Sequence, residues 1–239
     1  MGKIMKKIIS NLLLASFMTL LIGFQASAAV TEIFNDDFTT LTPVGQATTS
    51  AFLNAGPNRY TFSPAAYTNA SGFLLRNNVS NVTGTVLSIS RNAAANPVAT
   101  LSKSIASPIT KYARITTVFA VSNNGTARKI LLKSSTGSII GAVWIGQPKS
   151  GANIRSIVLN RTQSKEQGIR LFTPLADYGV NPVGNADYMY RYVIEVDVEA
   201  KKYKITCTPK DKTIPVIDSE YVGFYQDGTD LADIEFALD

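Results

Sequence analysis

The chain has 239 residues, a formal net charge of +6, one cysteine and no histidine. Without histidine there is no Ser-His-Asp or Cys-His nucleophile and no ordinary zinc site. A single thiol excludes an internal disulfide framework. The Lys and Arg residues are scattered rather than clustered, which argues against a nucleic-acid partner.

The N-terminus reads as a secretory signal over residues 1–28. Lys3, Lys6 and Lys7 make a basic start, an apolar run follows over residues 8–24, and Ala26-Ser27-Ala28 supplies the small residues of a cleavage site. The run is short for a membrane span, and no later stretch is apolar and long enough to be one. With no cysteine near the cut, a lipid anchor is not expected. The expectation is an exported protein, periplasmic, cell-surface or secreted, free of the membrane once the signal is removed. A signal without disulfides reads as bacterial. The remaining chain, 29–239, is the size of one large β domain. Removing the three leader lysines, with no acid beside them, lowers the net charge from +6 to +3. The sequence carries no signal for oligomeric state.

Beyond the leader, short alternating segments predict strands over 31–38, 72–76, 85–90, 99–102, 113–121, 129–133, 139–146, 154–159, 169–172, 190–198, 203–208, 221–225 and 232–238. Turn chemistry separates them at Asn123-Asn124-Gly125, Ser135-Thr136-Gly137, Ser150-Gly151 and Asp227-Gly228. No window sustains a 3.6-residue apolar period, so almost no helix is expected. Many short strands with regular turns point to an all-β sandwich or barrel. Residues 42–69, rich in Thr, Ala, Pro and Asn, read as a long connection with little regular structure, and 175–187 as a second loop.

The hairpin "IEVDVEAKKYKIT" carries Glu195, Asp197 and Glu199 at every second position. Side chains alternate along a strand, so Tyr192, Ile194, Val196 and Val198 share one face and Val193 and the three acids the other. A short turn at Ala200-Lys201 would set Glu199 opposite Lys202, Val198 opposite Tyr203, Asp197 opposite Lys204, Val196 opposite Ile205 and Glu195 opposite Thr206. That makes an apolar face, on which Cys207 continues the alternation of Tyr203 and Ile205, and a charged face of cross-strand pairs.

The same acids resemble the Glu, apolar, Asp, apolar, Glu strand of laminarinase- and lichenase-type retaining glucanases. That resemblance would make Glu195, Asp197 and Glu199 catalytic. Such chemistry needs one carboxyl held protonated, and Lys202 and Lys204 oppose it. The residues favour the exposed ladder.

Three stretches carry a wider resemblance: "IFNDDF" at the start, the hairpin 190–208, and "LADIEFALD" at the end. Their layout resembles secreted jelly-roll domains of the concanavalin A-like group. It implies an antiparallel two-sheet β-sandwich whose last strand returns beside the first, and a function in binding or cutting polysaccharide. Candidate sugar contacts are Trp144 in "GAVWIGQ" and, in or beside the second loop, Tyr178, Asn181, Asn185, Asp187 and Tyr188, because aromatic rings stack on sugar faces and amides bind hydroxyls. Trp144 reads equally well as a core residue. Asp36, Asp37 and Asp233 could share a structural Ca²⁺ if the first and last strands are neighbours; no other cofactor is expected.

The leading reading is a non-catalytic binder of polysaccharide or oligosaccharide. One rival is a polysaccharide-cleaving enzyme, either a retaining glycosidase or a lyase with Tyr as base. The other is a structural or adhesive surface protein without a sugar ligand.

Overall fold

The computed structural model describes residue 32 and residues 60–63, 72–77, 85–90, 99–119, 128–146, 156–162, 168–172, 190–209 and 216–238. The chain divides into the units Met1–Asn35 and Asp36–Asp239, and every described strand belongs to the second. In chain order these are β1 (Thr61–Ser63), β2 (Gly72–Asn77), β3 (Thr85–Ser90), β4 (Ala99–Ile109), β5 (Tyr112–Phe119), β6 (Arg128–Lys133), β7 (Ile139–Gly146), β8 (Ser156–Leu159), β9 (Ile169–Phe172), β10 (Tyr190–Asp197), β11 (Lys202–Pro209), β12 (Ile217–Asp218), β13 (Val222–Gly223) and β14 (Leu231–Leu238). Every regular element among the described residues is a strand. The strand expected over 31–38, apart from Glu32, and the signal at 1–28 lie outside them.

Three expectations need correction. Strand β1 falls inside the stretch 42–69 that composition assigns to irregular connection; Phe62 and its neighbours pair with Thr100–Ser102 of β4. Strand β4 runs on to Ile109, past Pro108. That proline lacks an N–H, and it stands beyond the β1 contact, where β14 also shifts register between Leu231 and Asp233. The segment 221–225 keeps only the two-residue strand β13.

The strands form a seven-stranded sheet, β1-β4-β14-β6-β7-β8-β9, a five-stranded sheet, β12-β11-β10-β5 with β13 also on β11, and a separate hairpin β2-β3, with antiparallel pairing throughout. The described strands pass between the two large sheets four times along the chain. Strand β5 leaves the seven-stranded sheet, β6–β9 return to it, β10–β13 leave again, and β14 comes back to insert between β4 and β6.

One apolar core lies between the sheets. Ile130, Leu132, Val143, Ile145, Ile157, Leu159 and Ile234 come from the larger sheet, and Tyr192, Ile194, Val196, Tyr203, Ile205 and Cys207 from the smaller. The alternation read from the hairpin delivers this face as expected. Burial pushes the Cys207 thiol up to about 12, assisted by the nearby Asp218, so at neutral pH it is an inert core group.

The larger sheet departs from simple alternation. Leu131, Ala142, Trp144, Val158 and Ala237 point away from the inter-sheet core and are buried as well. Burial on both faces explains why "KILLK" and "IIGAVWI" are nearly continuous apolar runs.

Candidate functional site

Strands β5, β10 and β11 bring the hairpin acids together with groups distant in sequence. In the β10–β11 register Glu195 faces Lys204, Asp197 faces Lys202, Val196 faces Tyr203 and Ile194 faces Ile205. The expected register is therefore wrong by two residues. The faces are unchanged because a shift of two preserves parity.

A longer turn causes the difference. Asp197 closes it by accepting the Ala200 N–H at 3.0 Å, Lys201 N–H donates to Val198 O at 3.2 Å, and Lys201 takes the left-handed conformation at φ 49°. Glu199 consequently leaves the strand and stands exposed in the turn. Side-chain hydrogen bonds of this Asx kind compete well with a tight two-residue turn.

On the other side, β5 sets Arg114 opposite Glu195 and Tyr112 opposite Asp197. The Tyr112 hydroxyl donates to Glu195 Oε1 at 2.7 Å, and Lys204 Nζ meets Glu195 Oε2 at 2.9 Å. Lys202 Nζ is 3.9 Å from Asp197 Oδ2, and Thr206 donates to Asp218 at 2.7 Å. Tyr221, next to β13, completes the arrangement: Lys202 and Lys204 place their ammonium groups 4.9 and 5.5 Å from its ring.

The hydrogen bonds from Tyr112 and Lys204 hold the Glu195 carboxyl below its usual range. Burial and then the bond to Glu195 raise the Tyr112 phenol well above its usual value, while Glu195 raises Lys204. Chemically the row holds an ionised carboxylate and protonated donors. The contribution of Glu195 to stability is therefore present at neutral pH and fades as acid protonates it, below about pH 4. Because the pair meets solvent, Glu195→Gln is expected to cost at most about 1 kcal/mol in urea unfolding. A loss of several kcal/mol would show that the ladder is part of the core.

The remaining sequence candidates are separated from this face. Trp144 is 4% exposed on the second face of the larger sheet, with Lys129 5.1 Å and Arg161 4.7 Å from its ring. Asp233 accepts a hydrogen bond from Ser104 at 2.9 Å through Oδ2. Its Oδ1 is buried with no hydrogen-bond partner among the described residues, and burial raises its pKa. Glu235, two positions on, is taken by Lys133 at 2.6 Å and Ser102 at 3.1 Å. No cluster of three carboxylate, Cys or His groups suited to a metal occurs among the described residues. Asp36, Asp37, Tyr178, Asn181, Asn185, Asp187 and Tyr188 lie outside the described residues.

Sequence reasoning passed over Tyr112, Arg114 and Tyr221. A signal existed for the first two. They share one parity with Thr116 and Val118, while the other parity, Ala113, Ile115, Thr117 and Phe119, is mostly apolar, and a large ring on the more polar parity marks an exposed ring.

No protein-family profile matches this chain, and no curated protein does. Solved structures do. A sialidase is similar over 85% of this chain, at 10% identity and TM-score 0.53, and the chain spans only 14% of that protein's length. A tetrameric galectin from Cinachyrella sp., a ball sponge, is similar at 14% identity and TM-score 0.37, over 59% of this chain and 87% of the galectin. The CBM2 module of the evolved Dit of Lactobacillus casei BL23 phage J-1 is similar at 12% identity and TM-score 0.39, over 77% of this chain and 92% of the module. The fold is an antiparallel two-sheet β-sandwich of the jelly-roll kind. The fold is what this chain has in common with the sialidase segment, and β14 lies third in the larger sheet, between β4 and β6.

Proposed function

We propose that this chain is an exported bacterial carbohydrate-binding protein that acts on or near polysaccharide without cutting it. The observation that carries the proposal is the open face of the five-stranded sheet. Exposed rings stand there beside hydrogen-bonding groups, on a jelly-roll scaffold, while the central carboxylate is held ionised by two donors.

Glycosidic cleavage by two carboxyls needs one of them protonated near neutral pH. Glu195 is pulled in the opposite direction, and Glu199 is displaced into the turn. A lyase using Tyr as base needs a phenol that ionises readily. Tyr112 is driven the other way, by burial and by donating to Glu195. Convergence of acid, Arg and aromatic side chains on one face is what an enzyme would also show, so the test must look for products.

The experiment is a polysaccharide array probed with the protein lacking residues 1–28, with assays for new reducing ends and for unsaturated products in the same wells. The expected result is retention on at least one glycan with neither product. Product formation above the blank, abolished in Glu195→Gln, would establish the enzyme reading. Neither retention nor product would leave the structural or adhesive reading.

A further inference from the structure

We propose that the open face of the five-stranded sheet is a binding surface for a neutral glycan, with Tyr112 and Tyr221 as its stacking platforms. The inference rests on the carbohydrate-binding reading and gives it a site and a ligand class. Tyr112 is 52% exposed and Tyr221 41%. Both belong to one face, joined by an unbroken series of contacts: Tyr112 to Glu195 at 2.7 Å, Glu195 to Lys204 at 2.9 Å, and Lys204 to the Tyr221 ring at 5.5 Å.

That series crosses β5, β10 and β11, two strand intervals of about 5 Å each. The rings therefore stand at two separate places along the face, as platforms for neighbouring units of a sugar chain. Their orientation is also prepared in advance. The Tyr112 hydroxyl is anchored on a carboxylate and the Tyr221 ring stands against two ammonium groups, so little ordering remains to be done when a ligand arrives.

The charge on the face selects the ligand class. Lys204 is committed to Glu195, Lys202 lies beside Asp197, and Arg114 opposite Glu195 is offset by Asp218 near Lys204, so the positive charge is largely matched where the rings stand. Such a surface offers donors and acceptors to hydroxyl groups and no excess charge to a polyanion. The charged rows also break up the apolar surface, so it lacks the contiguous apolar centre expected of a protein-docking patch.

The test is affinity electrophoresis of the wild-type chain in gels containing mixed-linkage β-glucan, xyloglucan, galactomannan or starch, with polygalacturonate as the acidic comparison, at low and high salt. Retardation is expected in at least one neutral gel, with little change on adding salt. Tyr112→Ala and Tyr221→Ala should each weaken it about tenfold, and the Phe variants, which keep the rings, should restore most of it. Circular dichroism melts identify any variant that has lost its fold, and the Phe variants then decide the matter.

Equal retardation of wild type and both Ala variants, or loss of binding only in Tyr178→Ala, would overturn this surface while leaving the carbohydrate-binding reading intact. Salt-sensitive retardation in polygalacturonate alone would overturn the neutral class. A wild type retarded by no glycan, or one that binds only a protein partner through this face, would overturn both the surface and that reading.

Discussion

Tyr203→Ala is expected to be the most damaging single substitution, lowering unfolding stability by about 4–6 kcal/mol and leaving little of a typical domain's margin. Tyr203 rises from the inner face of β11 and is fully buried. Its hydroxyl reaches the opposite sheet. There its one proton is shared between Asn160 Oδ1 at 2.7 Å and Ala142 O at 3.0 Å, and its oxygen accepts from the N–H groups of Ala142 at 3.3 Å and Asn160 at 3.2 Å.

The approach is allowed by Gly141 in the facing strand β7. A Cβ there would sit 3.3 Å from the Tyr203 ring and 2.9 Å from Leu132. Asn160 takes the left-handed conformation at φ 55° and uses its side-chain amide to reach Gly223 O at 3.0 Å. One phenol thus ties β11, β7 and the turn after β8, and through Asn160 also β13.

Removing the ring leaves a cavity and takes the hydroxyl partner from the Ala142 N–H and from Asn160 Oδ1, while the Asn160 N–H keeps Ala142 O at 2.8 Å. Tyr203→Phe keeps the ring and should cost about 1–3 kcal/mol, the penalty for the unpaired groups alone. Urea unfolding of both variants separates the two contributions, and a Phe variant as stable as wild type would refute the hydrogen-bonded tie.

Alkaline titration gives a second readout. Burial pushes both Tyr203 and Cys207 up to about 12. The unfolded chain releases these protons first, so their contribution is complete below about pH 9 and lost as pH rises toward 12.

Ile205→Ala is expected to follow, at about 2–5 kcal/mol. Ile205 pairs directly with Ile194, and both are fully buried in the inter-sheet core. Its N–H is held by Ser219 Oγ at 2.9 Å and its carbonyl by the Ser219 N–H at 2.9 Å, so the backbone is fixed and does not close over the space left by the missing atoms. The same unfolding experiment on Glu195→Gln, one residue along β10 from Ile194 but on the opposite face, supplies the contrast. Equal costs for the two would mean that the sheet does not separate a core face from a solvent face.

Which residues of the hairpin face the core was legible in its alternation, because side-chain period along a strand is a local property. Tyr192, Ile194, Val196, Tyr203, Ile205 and Cys207 needed nothing beyond parity. The all-β class followed for the same reason, from short alternating runs and turn residues. The pairing partners were not legible in this way. A two-residue register shift leaves parity untouched, so only the Asp197 turn, formed in three dimensions, decides that Glu195 meets Lys204 and that Glu199 meets no strand partner.

Trp144 looked equally like a core residue and a sugar platform. Its burial depends on what covers the second face of the larger sheet, which alternation within one strand does not encode. The insertion of β14 between β4 and β6, the reach of Tyr203 to Asn160, and the bond from Tyr112 to Glu195 across 83 positions are all contacts between distant segments. Local pattern sets which way a side chain points, and only the closing of two sheets around one core sets what it meets there.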